Sequence, residues 1–335
     1  MTRRSMIIGS FITAGAILSV GTEAGAQEPT DSSTLLSSIS TAASVDWSAI
    51  LAKAGKKALG GGTAGASASV VQVLSLMWLR TTMNYQYRYG GSLPNALSTL
   101  WSEGGIPRFY QGLPFALVQG PLTRFGDTAA NVGIIALLES LPQTKELPLP
   151  VKTACGSITA GLWRIFLMPV DASKTSLQVE GADGLKRLWE SVRESGPAPL
   201  YRGALAQAAA TTAGHFPWFL TFNFLNEQLP AVSSSDDLLL SLARSAFVGM
   251  SASCVSDCVS NSLRVIKTTK QTAQLGNDTT IKQKELSYPE VVQIIIEKDG
   301  IIALFGRGLQ TRLLTNAIQG AAFSVLWKYF QQVGS

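Results

Sequence analysis

The chain has 335 residues, 46% hydrophobic and only 15% charged, where an average soluble domain carries about 25% charge. That is too little charge to cover a soluble surface of this size, and the chain reads as a membrane protein with several spans. The net charge of +5 comes from dispersed bases and one histidine, not from a basic patch interleaved with aromatics, which argues against a nucleic-acid reader.

Residues 1–55 stand apart from the fold as a targeting or disordered segment. Thr2-Arg3-Arg4, the apolar run Met6–Val20 and Ala24-Gly25-Ala26 have the layout of a secretory signal. The same stretch has arginines and no acid before Glu23, which fits an organellar presequence equally well. Six apolar, helix-length segments follow, near Leu59–Tyr85, Leu113–Leu141, Val151–Val179, Gly203–Leu229, Asp237–Lys270 and Gly308–Gln331. Three short amphipathic stretches, Ala96–Glu103, Leu185–Glu194 and Val291–Asp299, have the Leu/Trp/Ile spacing of surface helices. Bases concentrate in the connections that hold these stretches, while the opposite connections carry Lys145 and Lys152 alone. All three basic connections are therefore predicted on one side of the membrane. Cys155, Cys254 and Cys258 lie in apolar runs with no further ligand beside them, so neither a metal nor a cofactor is expected.

A pattern recurs through these segments. Pro169-Val170-Asp171-Ala172-Ser173-Lys174 is followed by Tyr201-Arg202-Gly203. Ser75-Leu76-Met77-Trp78-Leu79-Arg80 is followed by Phe109-Tyr110-Gln111-Gly112, and Ser262-Leu263-Arg264-Val265-Ile266-Lys267 by Gly306-Arg307-Gly308. The starts lie 94 residues apart (75 to 169) and 93 apart (169 to 262). Regular spacing over most of a chain marks an internal repeat. The repeats cover 56–142, 143–232 and 233–335.

This pattern resembles the mitochondrial carrier family, whose signature is Pro-x-acid-x-x-base followed by acid-Gly and aromatic-base-Gly, three times over. The resemblance implies an all-α membrane protein: six transmembrane helices in three pseudo-symmetric repeats around a central cavity, with short surface helices on the matrix side. It also implies a monomer in the mitochondrial inner membrane, with cardiolipin at the matrix-side helix ends. The signal-like N-terminus keeps another organelle membrane, such as a plastid envelope, open.

In the family, the proline kinks draw the odd helices together, and each acid pairs with a base of the next repeat to close the cavity floor. Here the acid slots hold Met77, Asp171 and Arg264, and the base slots Arg80, Lys174 and Lys267. The resemblance thus pairs Asp171 with Lys267, leaves Lys174 alone and sets Arg264 against Arg80. The brace slots hold Asn84, Gln178 and Gln271. At the opposite end, helix four carries the amides Asn223 and Asn226 where the family has charges.

Ionisable residues inside a span usually face a cavity or a partner. Arg164 and Asp257 each stand five residues before a repeat start and are expected to share the cavity. Arg124 and Asp127 form an i, i+3 couple, and His215 is the repeat equivalent of Arg124. By the resemblance, the contact slots include Gln119, Thr211 and Asn316. A site so balanced in charge suits a small zwitterion. One histidine, no nucleophile–base–acid spacing and no phosphate loop argue against an enzyme. Two functions remain: a solute carrier working by alternating access, or an interaction or membrane-organisation protein on the carrier fold that no longer transports.

Overall fold

The computed structural model describes residues 48, 49, 52, 62–140, 144, 146–230, 238–276 and 286–319, and among these every regular element is a helix. In chain order they are α1 (Gly62–Tyr89), α2 (Leu93–Phe109), α3 (Leu113–Ser140), α4 (Leu149–Phe166), α5 (Met168–Ser195), α6 (Ala204–Gln228), α7 (Leu238–Thr272), α8 (Tyr288–Asp299), α9 (Ile301–Gly306) and α10 (309–319). Nothing of the N-terminal 47 residues falls in this range, so both readings of the leader lie outside it.

The segment expected at Val151–Val179 is two helices. Pro169 opens α5, and the axis turns by 66° between α4 and α5. Proline donates no N–H and its ring crowds the carbonyl four residues back, so the helix breaks there. A second break follows at Gly181, with φ at 72°, after which α5 continues as the surface stretch that includes exposed Trp189. α2 and α8 are the other two surface helices, and both are opened by a serine cap, Ser92 and Ser287.

The long helices pack in a closed ring: α1 on α3, α3 on α4, α4 on α6, α6 on α7, and α7 back on α1. Inside it, α1, α5 and α7 each touch the other two. Polar side chains turn inward: Thr81, Gln178, Asn261, Thr268, Gln271 and Thr311 are all buried. Large apolar ones turn outward, among them Leu74, Leu162, Phe166, Leu205, Leu220 and Phe247. This reverses the arrangement of a water-soluble core. Among the described residues no single helix is long and apolar enough to cross a membrane; the bent α4–α5 pair is. The polar inward faces lower the mean apolarity of the other helices.

Three glycines repeat one contact. A Cβ on Gly112 would meet the Lys174 carbonyl at 3.0 Å, one on Gly203 the Lys267 carbonyl at 2.8 Å, and one on Gly308 the Met83 carbonyl at 3.2 Å. Thus α3 starts against α5, α6 against α7, and α10 closes back on α1. Gly203 needs both its positive φ of 82° and its missing side chain to sit so close.

Candidate functional site

The inward faces enclose a cavity of about 450 Å³. Its lining includes Arg80, Gln119, Asp127, Arg164, Asp171, Lys174, Arg264, Lys267, Arg312, Thr315 and Asn316. At the meeting point of α5 and α7, Asp171 and Lys267 form an ion pair with side chains only 9% and 7% exposed. Asp171 also pairs with Lys174 at 3.0 Å and accepts from Gln119 at 2.7 Å and from Gln271 at 3.4 Å. Lys174, expected alone, therefore shares the carboxylate one turn away on its own helix. It also donates to the Gln119 carbonyl oxygen, which makes that contact slot part of the floor. Between α1 and α5, where Met77 replaces an acid, the Asn84 amide donates to Gln178 at 2.6 Å, and Gln178 donates to Thr81 at 3.4 Å and to the Met77 sulfur at 3.6 Å.

The family model of the mitochondrial carrier protein matches residues 145–232 and 239–334, more than half of the chain. The chain belongs to the mitochondrial carrier family. No curated protein sequence matches it. Members of the family are solute carriers rather than enzymes.

In this carrier the second signature element finishes helix ends. The Arg108 guanidinium donates to the carbonyls of Leu177, Gln178 and Val179 at 3.2, 3.0 and 2.9 Å, and is held by Glu103 at 2.8 Å. Those carbonyls precede the break at Gly181 and have lost their intrahelical donors. Arg307, held by Asp299 at 2.6 Å, does the same for the Arg88 carbonyl at 3.4 Å. Just past the end of the α5 span, the Tyr89 hydroxyl donates to Glu180 at 2.6 Å. Burial pushes the Glu180 carboxyl above its ordinary range, and burial beside that carboxylate pushes Tyr89 up as well.

Several expected couples change partner. Arg164 pairs not with Asp257 but with Asp127 on α3, at 2.7 Å, and donates to Thr123 at 2.9 Å. Asp257 pairs with Arg312 at 2.5 Å and accepts from Asn316. The Arg124 side chain lies outside the described residues. His215 is half-buried with its ring nearly perpendicular to that of Phe219, and it sits behind the lining residues Asp127, Arg164 and Arg264, whose charges reach it. Thr211 is buried against its own helix, donating to the Gln207 carbonyl, and Gln207 lines the cavity in its place. Arg264 donates to Ser260 at 3.2 Å, and Arg80 to Gln319 at 3.5 Å. At the far end of α6, Asn226 accepts from Arg244 at 2.9 Å, so the amide ties the α6–α7 connection.

Sequence reasoning missed Arg312, Gln207 and Arg244. Arg312 was within reach: it is a charge inside the predicted sixth span, the same signal that marked Arg164. With it the balance of the cavity changes. Among the described residues, six bases line it (Arg80, Arg164, Lys174, Arg264, Lys267 and Arg312) beside the carboxylates Asp127 and Asp171, and Asp257 holds the lining arginine Arg312.

Proposed function

We propose that this carrier moves a small metabolite across an organelle inner membrane by alternating access, as a six-span monomer in a lipid bilayer, with the mitochondrial inner membrane as its site. One observation supports this best: the charged cavity ends at a desolvated bridge, Asp171 to Lys267, that joins helices of different repeats. A buried pair is a barrier only while both partners are present, so a substrate that draws Lys174 or Lys267 away can open it. Cardiolipin at the helix ends of the basic side belongs to the same reading. The non-transporting reading draws support from Met77 and Arg264, which leave two of three acid slots without an acid.

The test is uptake into liposomes containing the purified full chain, offered an isotope-labelled metabolite mixture. Accumulation above protein-free liposomes, lost in Asp171→Asn, is the expected result. No accumulation of any solute by a protein that melts cooperatively would support the interaction reading instead.

A further inference from the structure

The seam between α1 and α5 is closed without the acid that the resemblance places there. Met77 stands in that slot, and at floor level the seam holds the neutral contacts from Asn84 to Gln178 and from Gln178 to Thr81. An acid does occur on this seam, but further out. Glu180 lies six residues beyond Lys174 and is the last residue before the break at Gly181. The Tyr89 hydroxyl, at the end of α1, donates to it at 2.6 Å. One hydrogen bond thus joins the end of the first repeat's long helix to the break in the second repeat's.

The third repeat covers this contact. After α7 the chain makes a short 3-10 turn, Ala273–Leu275, and a Cβ on Gly276 would lie 3.6 Å from the Tyr89 hydroxyl and 3.7 Å from Glu180 Oε2. Arg88 donates to the Ala273 carbonyl at 3.5 Å. Lys298 of α8 donates to the Tyr89 carbonyl at 3.2 Å and stands 5.7 Å from its ring centre. Among the described residues, the charges facing the carboxyl are Arg88 of α1, Arg187 of α5 and Arg108 of α2, the last held by Glu103; Tyr85 and Lys298 stand beside Tyr89. Burial outweighs the Tyr89 hydrogen bond and the three arginines, which favour the carboxylate, and holds the carboxyl above its ordinary range. Parting α1 from α5 would hydrate Glu180 and remove that burial, so the closed seam binds the proton more tightly than the open one.

We propose that Tyr89 and Glu180 form a proton-operated latch that holds α1 to α5 on the surface-helix side of the floor, shut in acid and released in alkali. This rests on the carrier reading and adds a regulation to it: the pH on the side of the surface helices sets how readily the floor opens. The proton's contribution to closure is full below the ordinary carboxylate pKa and is lost as pH rises through the raised value. Within that window each pH unit changes the ratio of closed to open by up to about tenfold. The Tyr89 phenol stays a donor throughout, since burial and the neighbouring carboxylate push it further up.

The test is a distance across the seam. Spin labels go on Ser102→Cys of α2 and Glu190→Cys of α5, both exposed positions, in the full chain carrying Cys155→Ser, Cys254→Ser and Cys258→Ser and reconstituted in liposomes. Pulsed electron spin resonance then follows the distance between about pH 4 and pH 8. With Tyr89 and Glu180 in place, the short distance should dominate at the acid end and a long-distance population should grow as pH rises. Glu180→Gln, which keeps an acceptor but cannot titrate, should lose this dependence. Tyr89→Phe should enlarge the long-distance population at every pH. One unchanging distance with both residues in place overturns the proposal, as does the same pH profile in Glu180→Gln. If Glu180→Gln does not melt cooperatively, an unaltered profile in Tyr89→Phe overturns it instead. Uptake into the same liposomes keeps the two readings apart. Uptake of a solute with unchanging distances sinks the latch and leaves the carrier, whereas pH-dependent distances without uptake of any solute sink transport and leave the latch.

Discussion

The α4–α5 segment and α7 occupy equivalent places in successive repeats, yet one is broken and the other continuous. Pro169 starts a new helix at 66° to the old one, while Ser262, in the same slot, lets α7 run unbroken from Leu238 to Thr272. α1, with Ser75 in the slot, is unbroken as well. α1, α5 and α7 still meet, so the kink is not the sole means of bringing them together. What replaces it beside Ser262 is a tether: the Asn261 amide donates to the Phe305 and Arg307 carbonyls at 2.7 and 3.1 Å. Where the proline is present, an acid and two lysines close the floor; where it is absent, amides and arginines line it.

The strongest way to break this contrast is to remove its ionic half. Asp171→Asn or Lys267→Gln leaves a buried charge unpartnered and should cost roughly 3–5 kcal/mol. Transport in liposomes should fall to background and the melting temperature with it, and exchanging the two charges should recover part of both. Unchanged uptake and melting in all three variants would mean that the pair is not a gate.

The next test makes the repeats alike. Ser262→Pro removes one α7 hydrogen bond and should cost about 3 kcal/mol, with a bend detectable as a shortened distance between spin labels on the two ends of α7. Pro169→Ala should do the reverse at Leu167 and lengthen the matching distance across α4–α5. If neither distance changes, packing sets the bend and proline merely tolerates it.

Gly203→Ala sharpens the comparison at the contact between α6 and α7. The added Cβ would lie 2.8 Å from the Lys267 carbonyl in a left-handed backbone, and the strain should cost about 2 kcal/mol. Gly196→Ala, at φ 77° with nothing within 4 Å, carries only the backbone part. Equal melting temperatures for the two variants would show that the close approach is not tight.

The smallest effect is at the end of the broken helix. Glu180 holds its proton more tightly in the folded than in the unfolded state, because burial raises its pKa. Its contribution to stability is full below the ordinary carboxylate pKa and is lost as pH rises through the raised value. The melting temperature of Glu180→Gln should therefore decline less than that of wild type between about pH 4 and pH 7. Parallel profiles would place the proton elsewhere.

Much of this was legible in the chain alone. Repeat spacing, apolar segment length and a single proline indicated most of the helices, their order and the place of the break at Pro169, because each depends on local backbone chemistry; the break at Gly181 was not foreseen. The Asp171–Lys267 pair was legible through the family pattern, which relates one repeat to the next. The other partners were not. Whether Arg164 meets Asp257 or Asp127 depends on how far each helix rotates and tilts, and residues that are near neighbours by repeat position can face different helices. Only the tertiary structure brought Arg312 to Asp257, turned Thr211 into its own helix and put Gln207 in the lining. It also decided which of the described charges line the cavity, since that depends on which side chains point inward, a property of packing rather than of sequence position.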